Sequence, residues 1–208
     1  VLTVACVLRS GPSKIGFRYQ PRHVTRLADL VDRFLPARHR FVCLTDMDDV
    51  GVEMVPLRHS WPGWWSKLEL FQHDFGPTIY FDLDVAIQGD LSFLVPFSET
   101  PETICAMEDS LPDHQRQPRL GSAVMAWSGS RPQVCDSFSP AAIPEWENRR
   151  NNRRWGDQSY LQDQFPSWVN ISRAFPGRMV SHGFDPPEAH GGAAIVNHPH
   201  NAKRLILD

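Results

Sequence analysis

No stretch of the sequence approaches the roughly 18–20 consecutive apolar residues that cross a bilayer, so no transmembrane helix is expected. Nothing at the start resembles a signal peptide, and Val1 stands where a Met would ordinarily open a chain, which leads us to expect a trimmed start. Cysteine is scarce. Cys6, Cys43, Cys105 and Cys135 are the four thiols, widely spaced and without a CxxC pair. Three of them sit in apolar strand-like runs, where a thiol behaves as a small buried hydrophobe. Reduced core cysteines in a reducing compartment, and a cytoplasmic location, are the expectation. An excess of one charge is missing too: 21 Lys and Arg against 24 Asp and Glu give a net charge of −3. That balance excludes a broad electrostatic footprint for nucleic acid. Repeats, low-complexity tracts and linkers are absent, so the 208 residues read as a single domain over 1–208. The histidines show no HExxH or Cys–His zinc spacing.

What is present is rigid and aromatic. Eighteen prolines, about 9% against a usual ~5%, imply many stiff loops. Together with seven tryptophans, they point to a built pocket rather than a bare scaffold.

Leu2 to Leu8 reads as a fully buried strand, broken by Arg9-Ser10-Gly11-Pro12. From Pro21 onward, Val24, Leu27, Ala28, Val31, Phe34 and Leu35 recur at helical spacing. Phe41 to Leu44 is a second buried strand, which completes a βαβ unit with parallel strands. A third short strand is expected at 52–57, a helix from Ser66 to about His73, and a strong strand from Thr78 to Ile87. Gly89-Asp90 ends it, and a short helix follows at Leu91–Val95. Further strands are expected at 103–107, 122–127, 179–181 and 194–196, with helix in part of 132–150 and over Asp157–Phe165. Glu108–Leu120 reads as a loop over a site. The fold class is α/β, with a mixed, mostly parallel sheet flanked by helices.

Asp82 and Asp84, inside the apolar run from Thr78 to Ile87, are the most informative residues. On a continuous strand they would face one side, with Cα atoms roughly 6–7 Å apart. Two bare carboxylates at that spacing repel by about 2–3 kcal/mol at an effective dielectric near 20, and burial adds several kcal/mol per ion. Such an arrangement calls for a compensating cation. A hard divalent ion fits that need, because Mn²⁺ and Mg²⁺ favour carboxylates plus phosphate oxygens. The alternative is that one Asp caps a turn and the other pairs with an Arg.

The blocks Trp64-Trp65-Ser66-Lys67-Leu68-Glu69-Leu70-Phe71 and Ile79-Tyr80-Phe81-Asp82-Leu83-Asp84 resemble the nucleotide-sugar glycosyltransferases of the GT-A fold. They are most similar to glycosyltransferase family 8 and its small bacterial relatives. The resemblance implies a single-domain GT-A-like (Rossmann-like) fold, with Asp82 and Asp84 as the family's D-x-D, which holds Mn²⁺ against the donor diphosphate. It implies donor contacts from Lys67, and from Ser122 in Leu120-Gly121-Ser122-Ala123-Val124. Gly121 stands there where the family carries Asn. Trp155-Gly156-Asp157-Gln158 is similar to the family's D-Q element, which makes Asp157 and Gln158 the candidate catalytic residues. Arg9 and Tyr19, at and beyond the end of the first strand, are candidate donor-binding residues, Tyr19 by stacking on the base. At the C-terminus, His198 or His200 would be the third metal ligand and Lys203 would bind phosphate. The family's Gly and Pro-Trp are missing from that block.

The implied reaction moves a sugar from a nucleoside diphosphate sugar, by resemblance a UDP-sugar, to a hydroxyl acceptor such as a glycan or lipid-linked saccharide. The family resemblance implies retention of anomeric configuration. Trp61, Trp64 or Trp65 could stack on the acceptor or fill the core. Arg149, Arg150, Arg153 and Arg154 could form a solvated face, or meet an anionic acceptor or a membrane surface peripherally. Two other readings remain: a nucleotidyltransferase on a related sheet, and a non-catalytic nucleotide-sugar-binding protein.

Overall fold

The computed structural model describes residues 1–11, 18–109, 118–147, 156–181, 185 and 187–197. Four strands run parallel and in the order expected of a βαβ start. β1 (Leu2–Leu8) pairs residue for residue with β2 (His39–Thr45), which pairs outward with β3 (Glu53–Pro56) and leaves β4 (Pro77–Phe81) on the other side of β1. Helix α1 (Pro21–Phe34) makes the crossover. Its Pro21 lies at the first turn, where a missing N–H is harmless. Gln20 and His23 close a reciprocal capping box around that turn. Val24, Leu27 and Val31 are fully buried beneath the helix, as their helical spacing predicts.

The predicted strand from Thr78 to Ile87 is in fact two. β4 stops at Phe81, a turn closes from Asp82 O to Val85 N, and β5 (Val85–Ile87) joins a separate sheet. Periodicity cannot reveal such a break, because apolar residues on both sides of it are buried. β5 runs antiparallel to β10 (Ile195–Asn197), which runs parallel to β9 (Met179–Ser181).

On the far side of β4 the central sheet continues through β7 (Leu120–Ser128), β6 (Cys105–Glu108) and β8 (Val169–Asn170), giving the order β3-β2-β1-β4-β7-β6-β8. Only β7 runs against the rest of this sheet. The expected α/β class and mostly parallel sheet are therefore what the structure has. A register shift between Ala106 and Met107 brings Gly121 opposite Met107. A Cβ on Gly121 would lie 3.0 Å from Met107 Cγ and 3.1 Å from Asp109 N, so the β6 edge leaves little room for a larger residue there.

The expected helix at 66–73 is a 3-10 helix over Gly63–Gln72. Trp65 to Phe71 are all buried, so this segment has no polar stripe of the kind that orients an α-helix on a surface. Of the short helices at 95–98, 133–136, 143–146 and the longer one at 157–164, only the last carries candidate residues, and it is called α2 (Asp157–Gln164) below. All four cysteines are buried and free of disulfides. Among the described residues, no helix is long and apolar enough to cross a membrane.

Candidate active site

At the carboxyl end of β4, four parts of the chain converge on one ammonium. Lys67, delivered by the 3-10 helix, has its Nζ 2.9 Å from Asp82 Oδ1, 3.1 Å from Asp157 Oδ2 and 3.1 Å from Ser122 Oγ. Ser122, on β7, in turn donates to Asp157 Oδ2 at 2.6 Å. The Tyr80 hydroxyl donates to Asp82 Oδ1, and the Lys67 ammonium sits 5.3 Å from the centre of the Tyr80 ring. Lys67, Ser122 and Asp157 are buried, while the Asp82 side chain keeps 28% of its surface exposed. The cluster is sealed from below and open at Asp82.

Why the chain folds this way is local in two places. Tyr80 and Asp82 are two residues apart at the end of β4, so both point to the face occupied by the 3-10 helix. The Asp82 N–H still bonds Ala123 O at 2.8 Å, which fixes the carboxylate just where the strand ends. At α2, Gly156 takes φ 71°, the left-handed region that suits glycine. A Cβ on it would come within 2.8 Å of Trp64 Nε1. Gly156, not Asp157, therefore occupies the helix-cap position. That frees the Asp157 side chain to turn inward to Lys67.

The electrostatics follow from one cation shared between two acids. Burial works against the Lys67 charge, but Asp157 and Asp82 outweigh it and raise its pKa, so the ammonium stays charged. Burial pushes the Asp157 carboxyl up; Lys67 and Ser122 pull it back only in part. The asymmetry is reasonable, since Lys67 has two counter-charges and Asp157 has a share of one. Burial, then the neighbouring Asp82, lifts the Tyr80 phenol well above its ordinary range, so it remains a donor.

Asp84 lies in the turn and is buried. Its partner is the Tyr19 hydroxyl, whose pKa is raised by burial and by the charges of Asp84 and Asp82. Tyr19 is thus drawn into the carboxylate pair and meets His23 edge-on. The period-2 argument for Asp82 and Asp84 does not apply to a turn, yet both carboxylates act on the same hydroxyl. The compensating cation that the sequence argument sought is present as Lys67. The alternative weighed against a metal named an Arg for that place, and the side chain found on Asp82 is a lysine.

The other candidates are dispersed. Arg9 ties the loop after β1 to its neighbours, through Asp46 at 3.4 Å and the His59 carbonyl at 2.6 Å. Gln158 follows Asp157 on α2 and is half-buried. Trp61 and Trp65 belong to the core, packed on Phe138, whereas Trp64 is half-buried beside Gly156. His198, His200 and Lys203 lie outside the described residues, as do Trp155 and the four clustered arginines. β10 ends at Asn197, paired with Val85, the residue after Asp84. Among the described residues, no group of three or more His, Cys, Asp or Glu is placed to hold a metal. The residue missed by the sequence reading is Tyr80, although its two-residue offset from Asp82 was signal enough.

No protein-family profile and no curated protein matches the chain. Solved structures do. The galactosyltransferase LgtC, in complex with donor and acceptor sugar analogues, superposes with a TM-score of 0.62 at 13% identity over 99% of this chain and 90% of that one. The chain has a GT-A-like glycosyltransferase fold. The glycosyltransferase GlyE of Streptococcus pneumoniae TIGR4 gives a TM-score of 0.62 at 12% identity, with this chain spanning 56% of its length. The bifunctional glycosyltransferase WbbM gives 0.57 at 12% identity, with 45% of its length spanned. At these identities the shared property is the GT-A-like fold, and the chemistry has to be argued from the residues.

Proposed function

We propose that the chain transfers a sugar from a nucleoside diphosphate sugar, a UDP-sugar by resemblance, to a hydroxyl acceptor with retention at C1. The observation that carries this reading is Lys67 bridging Asp82 and Asp157 at the carboxyl end of β4. Open α/β sheets bind their ligands at that end.

The residues fit a divalent cation. Asp82 and Asp157 share the Lys67 ammonium and Asp84, two residues beyond Asp82, pairs with Tyr19, so three carboxylates against one ammonium leave two formal negative charges where an anionic diphosphate would have to bind. Asp82 and Asp84 would hold Mn²⁺ or Mg²⁺, with His198 or His200 as a further ligand and Lys203 on phosphate. When bound, the metal supplies Lewis-acid stabilisation to the departing diphosphate.

The protein's own groups do the rest. Lys67 keeps Asp157 compensated in a buried setting, so that a carboxylate with Gln158 beside it can stabilise positive charge developing on the sugar. Tyr80 and Tyr19 orient the two carboxylates at the mouth of the site. The bond from C1 to the diphosphate breaks, a bond from C1 to the acceptor oxygen forms, and the acceptor proton leaves with the diphosphate product. Trp64 is the tryptophan of the Trp61–Trp65 block left to meet an acceptor, because Trp61 and Trp65 are enclosed in the core.

Calorimetric titration of UDP with and without Mn²⁺ tests the reading. Binding that depends on Mn²⁺, followed by turnover of a UDP-sugar, supports it. No binding in either condition overturns the UDP-sugar donor, and release of pyrophosphate from a nucleoside triphosphate would favour nucleotidyl transfer instead.

A further inference from the structure

An ammonium has three protons to donate, and those of Lys67 are all committed: to Asp82, to Asp157 and to Ser122. Its side chain is 4% exposed, so no incoming ligand can touch it without first displacing one of those partners. Asp157 and Ser122 are buried and bonded to each other at 2.6 Å. Asp82, with 28% of its side chain exposed, is the partner that faces outward. It is also the carboxylate a metal would take. Lys67 contacts both Asp82 oxygens, at 2.9 and 3.2 Å, and Tyr80 donates to one of them. A cation arriving alone must therefore share oxygens already held by an ammonium, against its repulsion.

From this geometry we infer that Lys67 couples metal binding to donor binding, by occupying Asp82 until a diphosphate offers the ammonium another acceptor. The inference rests on the reading of Asp82 as a metal ligand. With a metal on Asp82, Lys67 would be released from that carboxylate, and the proton so freed could be donated to a phosphate oxygen. Donor and metal each make room for the other, and the enhancement must be the same in both directions. The buried Asp157 and Ser122 keep the ammonium anchored while it changes its third partner. Lys67 is thus a positioning residue whose effect falls on the affinity of the metal.

The test is Mn²⁺ affinity, measured by calorimetry and by the electron paramagnetic resonance signal of free Mn²⁺, with and without UDP. Wild type is expected to bind Mn²⁺ weakly alone and more tightly with UDP. Lys67→Met should bind Mn²⁺ alone about tenfold more tightly than wild type, with the enhancement by UDP reduced about tenfold. Because Lys67→Met leaves Asp82 and the buried Asp157 without their shared cation, it is compared with Lys67→Met/Asp157→Asn, which removes one charge of each sign. The double variant keeps the net charge of the site and should show the same two changes. Wild-type values for Mn²⁺ affinity and UDP enhancement in a folded double variant would overturn the coupling. If wild type binds no Mn²⁺ even with UDP, and Asp82→Ala changes nothing, the metal reading itself falls and the coupling with it.

Discussion

Under α1 the central sheet is filled mainly with aliphatic side chains and thiols, among them Val4, Cys6, Leu8, Leu27 and Val31; its opposite face is packed with rings, including Trp65, Phe71, Tyr80, Trp127 and Phe138. The aliphatic face has one task, to bury area, and it accepts any well-shaped filling. The ring-bearing face also has to hold Lys67. Broad, stiff rings keep water away from the ammonium while leaving its acceptors fixed, and Trp65 is itself pinned by an Nε1 bond to Glu147 at 2.8 Å. Stability and chemistry are thus separable on one face and entangled on the other.

The sharpest way to break that comparison is Asp82→Ala. On the proposed function it should lower turnover by about a hundredfold to a thousandfold, read from initial rates with a UDP-sugar, while thermal stability changes little by comparison. Leu27→Ala, beneath α1, should do the reverse. Leu27 is 1% exposed, so about 2–5 kcal/mol of stability should be lost in denaturant melts, with kcat/KM of the folded fraction unaltered. Gly156→Ala should move both readouts, because its φ of 71° and the 2.8 Å approach of Trp64 strain any larger residue just where α2 launches Asp157. About 1–3 kcal/mol is expected, together with a fall in turnover. Tyr80→Phe keeps the ring and deletes one donor to Asp82, so stability should fall by about 1 kcal/mol and turnover by a small factor.

Cys135 offers a test by pH. Its thiol is pushed up to about 12, chiefly by burial, from an unfolded value near 9.0. Between those values the unfolded chain releases the proton first. The stabilising contribution is therefore complete below pH 9 and declines as pH rises toward 12. Denaturant midpoints across that range should fall with rising pH, and less steeply in Cys135→Ala.

The parallel strands, α1 and α2 were legible because each is a local pattern of apolar spacing bounded by proline, glycine or polar residues. The break after Phe81 was not, since Leu83 and Val85 are as buried as the strand residues before them and only a backbone turn marks the change of sheet. At the site, the carboxylates of D-x-D stood out within their apolar run, and the D-Q pair came from the family resemblance. The cation between them could not be assigned, because Lys67 reaches Asp82 and Asp157 through a 3-10 helix packed across the sheet. Strand spacing therefore pointed to two acids in need of a counter-ion, while Lys67, fifteen positions earlier, was assigned to the donor instead. Tyr80 could have been read, since a phenol two places before a carboxylate on a strand must share its face.

β7 is inserted, in the opposite sense, between two strands that precede it in the chain. Its antiparallel pairing with β6, the strand just before it, can form locally, but its pairing with β4 cannot. The chain must run from β4 through β6 before β7 can close the gap between them, a non-local step of the kind that slows folding. Ser122 rides on that strand, and Asp157 lies beyond it. A refolding chain will therefore acquire the α1 side of the sheet before it acquires a competent binding site. In a stopped-flow experiment, recovery of nucleotide binding should report the arrival of the keystone strand and lag the first compaction of the chain.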